Sequence, residues 1–303
     1  MKRKYRFLSK TITLANHAGF CYGVKRAVET TKKIKTENPE RSICVLGELI
    51  HNSDVIKELE KLGISTIYEI PQCGADSDCG ICVIRSHGLA QTEIDKIAKN
   101  GYEVVDLTCP DVKKVQQKAT ELAKEGYFVV IVGKSEHPEV MAIFANARQH
   151  SEDVYVVSDV NEIDEYFVQR VKAAKRIGIV SQTTQRLQNL QTIVAELVTI
   201  GKEIRVFNTI CSSTSRRQNE ATELAKNSDL MIVVGSKKSA NTTHLAEILT
   251  NITKTIHIEN EKEIEQYFAM IENAIKIGVT AGASTPQNVI DAVIERLKQI
   301  NNS

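Results

Sequence analysis

Three times along this chain a short apolar run passes into a cysteine and then into a segment of helical period. Cys21 precedes residues 24–35, Cys109 precedes residues 111–126, and Cys211 precedes residues 216–227. A recurrence at roughly 90–100 residues is the size of a small domain rather than of a solenoid turn. Twelve β-branched runs accompany it, and they sort by order into three groups of four. The first group is ITLA, ICVLGE, ISTIYEI and ICVIRS, the second EVVDLT, FVVIVG, VYVV and IGIVS, and the third IRVFN, MIVVGS, TIHI and IKIGVTA. Helical segments lie between them, such as residues 54–63, where Val55, Ile56, Leu59 and Leu62 share a face and Gly63 supplies a left-handed stop. Strands alternating with helices give parallel sheets. The expected class is α/β, with three similar domains over residues 12–109, 110–207 and 208–300. Each is a four-stranded, mainly parallel sheet with flanking helices.

The spacing within each group carries the functional argument. His51, His137 and Ser239 lie 30, 28 and 28 residues beyond their cysteines, and His87, Thr183 and Ser284 lie 66, 74 and 73 residues beyond them. Each stands where a strand ends. In parallel sheets the carboxyl ends share an edge, and ligands collect there. Arranged about an approximate three-fold axis, nine strand ends would surround one site.

Convergence of Cys21, Cys109 and Cys211 would make a tri-thiolate. Three thiolates on a four-iron cluster leave one iron for substrate, whereas three on zinc leave a position for water. Each cysteine alone is also compatible with simple packing. His51, His87, His137, Ser239, Asn241 and Ser284 offer imidazole, hydroxyl and amide donors at strand-to-helix turns, a set suited to a phosphate or diphosphate. Among them Glu139 is the odd member. A carboxylate beside an anion is repulsive unless it handles a proton, although a Glu after Pro138 would also complement a helix dipole.

Composition removes other classes. The 303 residues carry 39 basic and 38 acidic side chains, a net charge of +1 that argues against nucleic-acid binding. The longest apolar runs fall far short of the ~20 residues of a membrane span, and the basic start is followed by no secretory apolar stretch. A cytoplasmic location with reduced cysteines is expected. Neither G-x-G-x-x-G nor G-x-x-x-x-G-K-[ST] occurs, so electrons for a redox site would come from another protein. Two rival readings use the same residues: a zinc hydrolase of a phosphorylated substrate, and an iron–sulfur sensor without turnover.

AGFCYGVKRA (18–27), LIHN (49–52), RSHG (85–88), TCP (108–110), HPE (137–139), SQTT (181–184), GSKKSAN (235–241) and TAGAS (280–284) together resemble the LytB/IspH family. The resemblance implies a trefoil of three α/β domains, pseudo-three-fold around one central 4Fe-4S cluster held by Cys21, Cys109 and Cys211. It further implies a diphosphate pocket from His51, His87, His137, Ser239, Asn241 and Ser284, with Thr183 beside the substrate and Glu139, Thr183 and His137 in the catalytic set. The implied reaction is two-electron reductive dehydroxylation of 4-hydroxy-3-methylbut-2-enyl diphosphate to isopentenyl and dimethylallyl diphosphate, the last step of the non-mevalonate isoprenoid pathway. Ferredoxin or flavodoxin would be the donor.

Two departures from the family pattern stand out. Ala240 occupies a position where some members have a second serine. Cys73, Cys79 and Cys82 lie in a stretch longer than the usual connection, which reads as a mobile, dispensable thiol-bearing loop. A zinc site there would need a fourth ligand, and Cys44 belongs to another strand.

Overall fold

The structure is a computed structural model that describes residues 10–73 and 79–302. The basic start and residues 74–78 of the cysteine-rich stretch lie outside the described residues. The chain divides into two compact units, one of residues 23–211 and one of residues 1–22 with 212–303. The twelve apolar runs are the twelve strands: β1 (Thr11–Leu14), β2 (Ile43–Leu46), β3 (Ile64–Ile67), β4 (Ile81–Ile84), β5 (Glu103–Asp106), β6 (Phe128–Val132), β7 (Val154–Val157), β8 (Arg176–Ser181), β9 (Glu203–Val206), β10 (Leu230–Val234), β11 (Thr255–Ile258) and β12 (Lys276–Ala281). They form three four-stranded sheets, and every pairing is parallel.

The sheets correct the grouping read from chain order. The strand leading to each cysteine does not open a new sheet but closes the previous one. β5 lies beside β4 in the order β3-β2-β4-β5, β9 beside β8 in β7-β6-β8-β9, and β1 beside β12 in β1-β12-β10-β11. The third sheet is therefore completed by the start of the chain, through Thr11↔Lys276 to Leu14↔Val279. These three strands are sheet edges with exposed or half-buried residues throughout. Central strands such as β6 and β10 are buried along their whole length. An edge strand docks by backbone hydrogen bonds on one side only, and its side chains carry little information about which sheet it joins.

Helices cover both faces of the sheets. In the larger unit these are α1 (Tyr22–Glu37), α2 (Ser53–Lys61), α3 (Gln91–Lys99), α4 (Pro110–Lys124), α5 (Pro138–Arg148), α6 (Glu165–Ala174) and α7 (Leu187–Val198). In the other they are α8 (Ser212–Lys226), α9 (Ala240–Thr250), α10 (Phe268–Asn273) and α11 (Gln287–Asn302). Alternation along the central strands feeds two cores in the β6 and β10 sheets. Leu230, Ile232 and Val234 pack with Ile290 and Val293 of α11, while Met231 and Val233 pack with Ala221 of α8 and Leu245 of α9. Likewise Phe128, Val130 and Val132 meet Phe167 and Ile193, and Val129 and Ile131 meet Leu122 and Ile143. On α2, Val55 and Leu59 are buried as the periodicity predicts, but Leu62 is exposed and serves as the C-cap before left-handed Gly63 (φ 77°). No helix among the described residues is long and apolar enough to cross a membrane.

The cysteine-rich stretch also differs from expectation. Cys82 is not in a loop: it is a residue of β4 with no exposed surface, directly opposite Cys44 of β2. Cys73 and Cys79 are joined as a disulfide, where reduced thiols were expected.

The closure of the third sheet by β1 is testable. The Ala15 N–H donates to the Val279 carbonyl at 2.9 Å, extending the β1–β12 ladder. Ala15→Pro removes that donor at a cost of about 1–3 kcal/mol. Amide hydrogen exchange should accelerate across residues 276–281 and stay unchanged in β2 and β4. Faster exchange in β2 instead would place β1 with the wrong sheet.

Candidate active site

The larger unit gathers His51, His87, His137, Glu139 and Thr183. His51 follows β2, His87 follows β4 and His137 follows β6, so two neighbouring sheets direct strand ends at one place. The His51 and His87 rings stack with centroids 4.7 Å apart, and His137 stands edge-on to them at 6.0 and 5.4 Å. One nitrogen from each ring lies within 4.8 Å of the others. Such a cluster can hold a metal ion or an anion, and the hydrogen bonds distinguish the two. The Glu139 N–H donates to His137 Nδ1 at 3.1 Å, which leaves the proton on Nε2 and makes that atom a donor rather than a ligand. His51 Nδ1 lies 3.2 Å from Glu48 Oε2. His87 Nδ1 is buried without a hydrogen-bond partner among the described residues. Burial, with the neighbouring His51, His137 and Arg85, holds the His87 ring well below its ordinary pKa. A buried ring nitrogen left unpaired costs free energy that an anionic ligand would recover.

Glu139 sits in the first turn of α5, but it does not cap its helix. His137 is the N-cap, and the Glu139 carboxylate turns to Thr183 instead. The Thr183 N–H donates to Oε1 at 2.6 Å and the Thr183 hydroxyl to Oε2 at 2.8 Å. With 1% of its surface exposed, the carboxyl is pushed up to about 7 by burial, against the opposing pull of the two Thr183 bonds. A carboxyl poised there exchanges its proton at neutral pH.

Each of the three cysteines is fastened to a strand end by one backbone bond. The Cys109 N–H donates to the Ser86 carbonyl at 3.0 Å, the Cys211 N–H to Thr183 at 3.0 Å and the Cys21 N–H to Ala283 at 3.2 Å. The acceptors adjoin or belong to the expected ligand positions His87, Thr183 and Ser284. All three cysteines are half-buried, and each stands immediately before a helix: α1, α4 or α8. A helix N-terminus favours the thiolate.

The smaller unit holds Cys21, Ser239, Asn241 and Ser284. Ser239 is the N-cap of α9 and Asn241 lies in its first turn, both 5% exposed. Gly282 has no room for a Cβ against the Thr242 side chain, and this close approach brings the turn carrying Ala283 and Ser284 onto α9. The Asn241 Nδ2 is buried with no hydrogen-bond partner among the described residues, a second unpaired donor of the kind an anion satisfies. Ala240, the first residue of α9, contributes no hydroxyl.

A profile of the LytB protein family matches residues 12–298. The chain belongs to the LytB family. The 4-hydroxy-3-methylbut-2-enyl diphosphate reductase of Syntrophotalea carbinolica is 44% identical over 291 residues, 96% of this chain and 99% of that one. The enzyme of the same description from Trichlorobacter lovleyi is 42% identical over 294 residues, again 96% and 99%. Among solved structures, an (E)-4-hydroxy-3-methyl-but-2-enyl diphosphate reductase described as the terminal enzyme of the non-mevalonate pathway is similar with a TM-score of 0.68. It has 36% identity and covers 96% of this chain and 99% of that one. The E-1-hydroxy-2-methyl-but-2-enyl-4-diphosphate reductase of Plasmodium falciparum gives 0.84 at 27% identity, covering 95% and 87%.

Two supporting residues of this LytB-family chain carry no role in the sequence reading. Glu220 of α8 accepts bonds from the Asn16 and His17 backbone N–H groups (2.7 and 2.8 Å) and from both side chains (2.8 and 2.7 Å), anchoring the segment that ends at Cys21. Burial opposes ionisation of Glu220, yet these bonds hold its carboxyl below the ordinary range. Arg85 is the other, packed against left-handed Gly47 (φ 73°), where a Cβ would meet its guanidinium. Neither has a local signal: Glu220 acts across some 200 residues of sequence, and Arg85 reads as an ordinary strand-end cation.

The Glu139 geometry predicts a titration. Infrared difference spectra should contain a protonated carboxyl band that disappears near pH 7 and is missing from Glu139→Gln. Thr183→Val deletes one bond to the ionised form and should move the band's disappearance to higher pH. A carboxyl titrating near 4.5 would contradict the burial argument.

Proposed function

We propose that this chain is a 4-hydroxy-3-methylbut-2-enyl diphosphate reductase, and that Cys21, Cys109 and Cys211 hold one 4Fe-4S cluster. The donor set fits: three cysteines outside any disulfide, each at a helix N-terminus and each bonded through its backbone to a strand-end turn. Three protein thiolates would leave one iron of the four without a protein ligand. Bound there, the cluster supplies electrons and a Lewis-acidic iron. The reading includes the three repeats in a pseudo-three-fold trefoil, a cytoplasmic setting, and ferredoxin or flavodoxin as electron source.

The chain's own residues do the rest. His51, His87 and His137, with Ser239, Asn241 and Ser284, bind the diphosphate through N–H and O–H donors. The unpaired His87 Nδ1 and Asn241 Nδ2 are the atoms such a ligand would satisfy. Thr183 holds the Glu139 carboxyl by two bonds and orients it. Protonated Glu139 gives its proton to the allylic hydroxyl, which leaves as water when the C–O bond breaks. Two electrons enter the hydrocarbon, and a second proton closes the allyl fragment at one end or the other, giving isopentenyl or dimethylallyl diphosphate. Hydroxide is a poor leaving group, and burial keeps Glu139 protonated up to the pH where the donation is needed.

The observation that carries this reading is the buried Glu139–Thr183 pair beside the histidine cluster, since anion binding alone has no use for a carboxyl there. In Glu139→Gln the cluster spectrum and substrate affinity should persist while turnover falls by roughly 10²–10⁴-fold. The parent requires the protonated acid, so its rate should decline as pH rises through about 7. The residual rate of the variant should lack that limb. Near-normal turnover with a lowered melting temperature would assign Glu139 a structural role instead.

A further inference from the structure

The strand-end turn that carries Thr183 is held from two sides, and one rung of that hold is a side chain. β8 ends at Ser181 and β9 at Val206, yet the two segments stay bonded as far as Cys211. The Phe207 N–H donates to the Ile179 carbonyl at 2.9 Å, and the Cys211 N–H donates to the Thr183 carbonyl at 3.0 Å. In a parallel ladder alternate residues of a strand make the bonds to one neighbour, so a rung belongs between these two, at Ser181 and Thr209. The Thr209 hydroxyl supplies it. Its Oγ1 accepts from the Ser181 N–H at 2.8 Å and donates to the Ser181 carbonyl at 2.6 Å. The Ser181 hydroxyl lies 3.2 Å from the same oxygen, and because the one Thr209 proton is committed to the carbonyl, the Ser181 hydroxyl is the donor there. At Cys109 the equivalent connection is made by backbone alone, through Leu107 to Ile84 at 3.1 Å and Cys109 to Ser86 at 3.0 Å.

This rung stands at a junction. Ser181 has no exposed surface, so water cannot readily replace Thr209 at its buried N–H and carbonyl. On the other side the Gln182 N–H donates to the Val132 carbonyl of β6 at 2.8 Å, which fixes the turn to its sheet. Thr183 then faces two ways: its carbonyl accepts from Cys211, while its N–H and hydroxyl donate to Glu139. If residues 209–211 separate from 181–183, the thiol of Cys211 and the carboxyl of Glu139 lose their common reference. All these groups lie within the larger unit.

We propose that Thr209 is a positioning residue, whose hydroxyl sets Cys211 against Thr183 and, through Thr183, aims Glu139. Its effect on turnover rests on the reductase reading; its effect on the two segments does not. Thr209 touches neither substrate nor reacting atoms, and its action is to replace a missing backbone rung.

The test compares the full-length holoenzyme with three variants. Thr209→Val keeps the side-chain shape and deletes the hydroxyl, Thr209→Ala deletes it with less bulk should Thr209→Val not fold, and Thr209→Ser keeps it. Amide hydrogen exchange at Ser181 and Cys211 should quicken at least about tenfold in Thr209→Val and Thr209→Ala and match the parent in Thr209→Ser, with β2 and β4 unchanged in all. At equal cluster content, kcat should fall roughly 10–100-fold in the two hydroxyl-deleting variants while KM stays within about twofold, and Thr209→Ser should restore it. Parent-like exchange at Cys211 without the hydroxyl overturns the positioning role. So does a Thr209→Ser protein as impaired as Thr209→Val, which would assign the effect to packing. Quickened exchange with undiminished kcat overturns the link to catalysis. A parent that reduces no allylic diphosphate would refute the reductase reading instead, and the exchange rates would still decide whether Thr209 holds the two segments together.

Discussion

Three backbone hydrogen bonds organise the proposed site: those from Cys21, Cys109 and Cys211 to Ala283, Ser86 and Thr183. Each exists because the strand leading to a cysteine lies in parallel beside the last strand of a sheet. Both chains then leave that sheet at the same edge, and the ladder continues one step beyond it. The cysteine starts a helix, and its neighbour carries His87, Thr183 or Ser284. A change that shifts β1, β5 or β9 by one residue would therefore move a thiol and reverse the faces of its strand together. Sheet register and site composition are one constraint in this fold.

The second governing balance is electrostatic. Glu139 is almost fully buried, which penalises its charge, while two donated bonds from Thr183 favour the charge. Burial dominates, and the carboxyl is left near neutrality. The same donors that would stabilise a carboxylate instead aim a proton-bearing group. His87, partly buried with its Nδ1 enclosed, is driven the other way and remains neutral, which lets it pack against two further imidazoles without repulsion.

Much of this was legible in the chain. Apolar β-branched runs located all twelve strands, because buried parallel strands are nearly continuous in such residues. Offsets from the cysteines that agree within a loop length located the strand ends, and the structure brings His51, His87 and His137 together there. Sheet membership was not legible for β1, β5 and β9, whose docking depends on backbone bonds at an edge. Cys82 was read both inside the strand run ICVIRS and as the end of a Cys-rich loop, and the structure keeps the strand reading, since a run bounded by Gly and Asp can look like a loop up to its last residue. Glu220 was invisible for a simpler reason: its four partners are backbone and side-chain groups brought to it only by the folded chain.

The central claim is that three cysteines, repeated with the strands, hold an open iron–sulfur cluster at a diphosphate pocket. Mössbauer spectroscopy of the iron-57 protein, prepared without air, tests it most directly. The account predicts four irons per chain in one cluster, with a single iron whose signal shifts when the diphosphate substrate is added. Iron-free protein carrying zinc at these cysteines, or a four-iron cluster whose signals ignore the substrate, would contradict it.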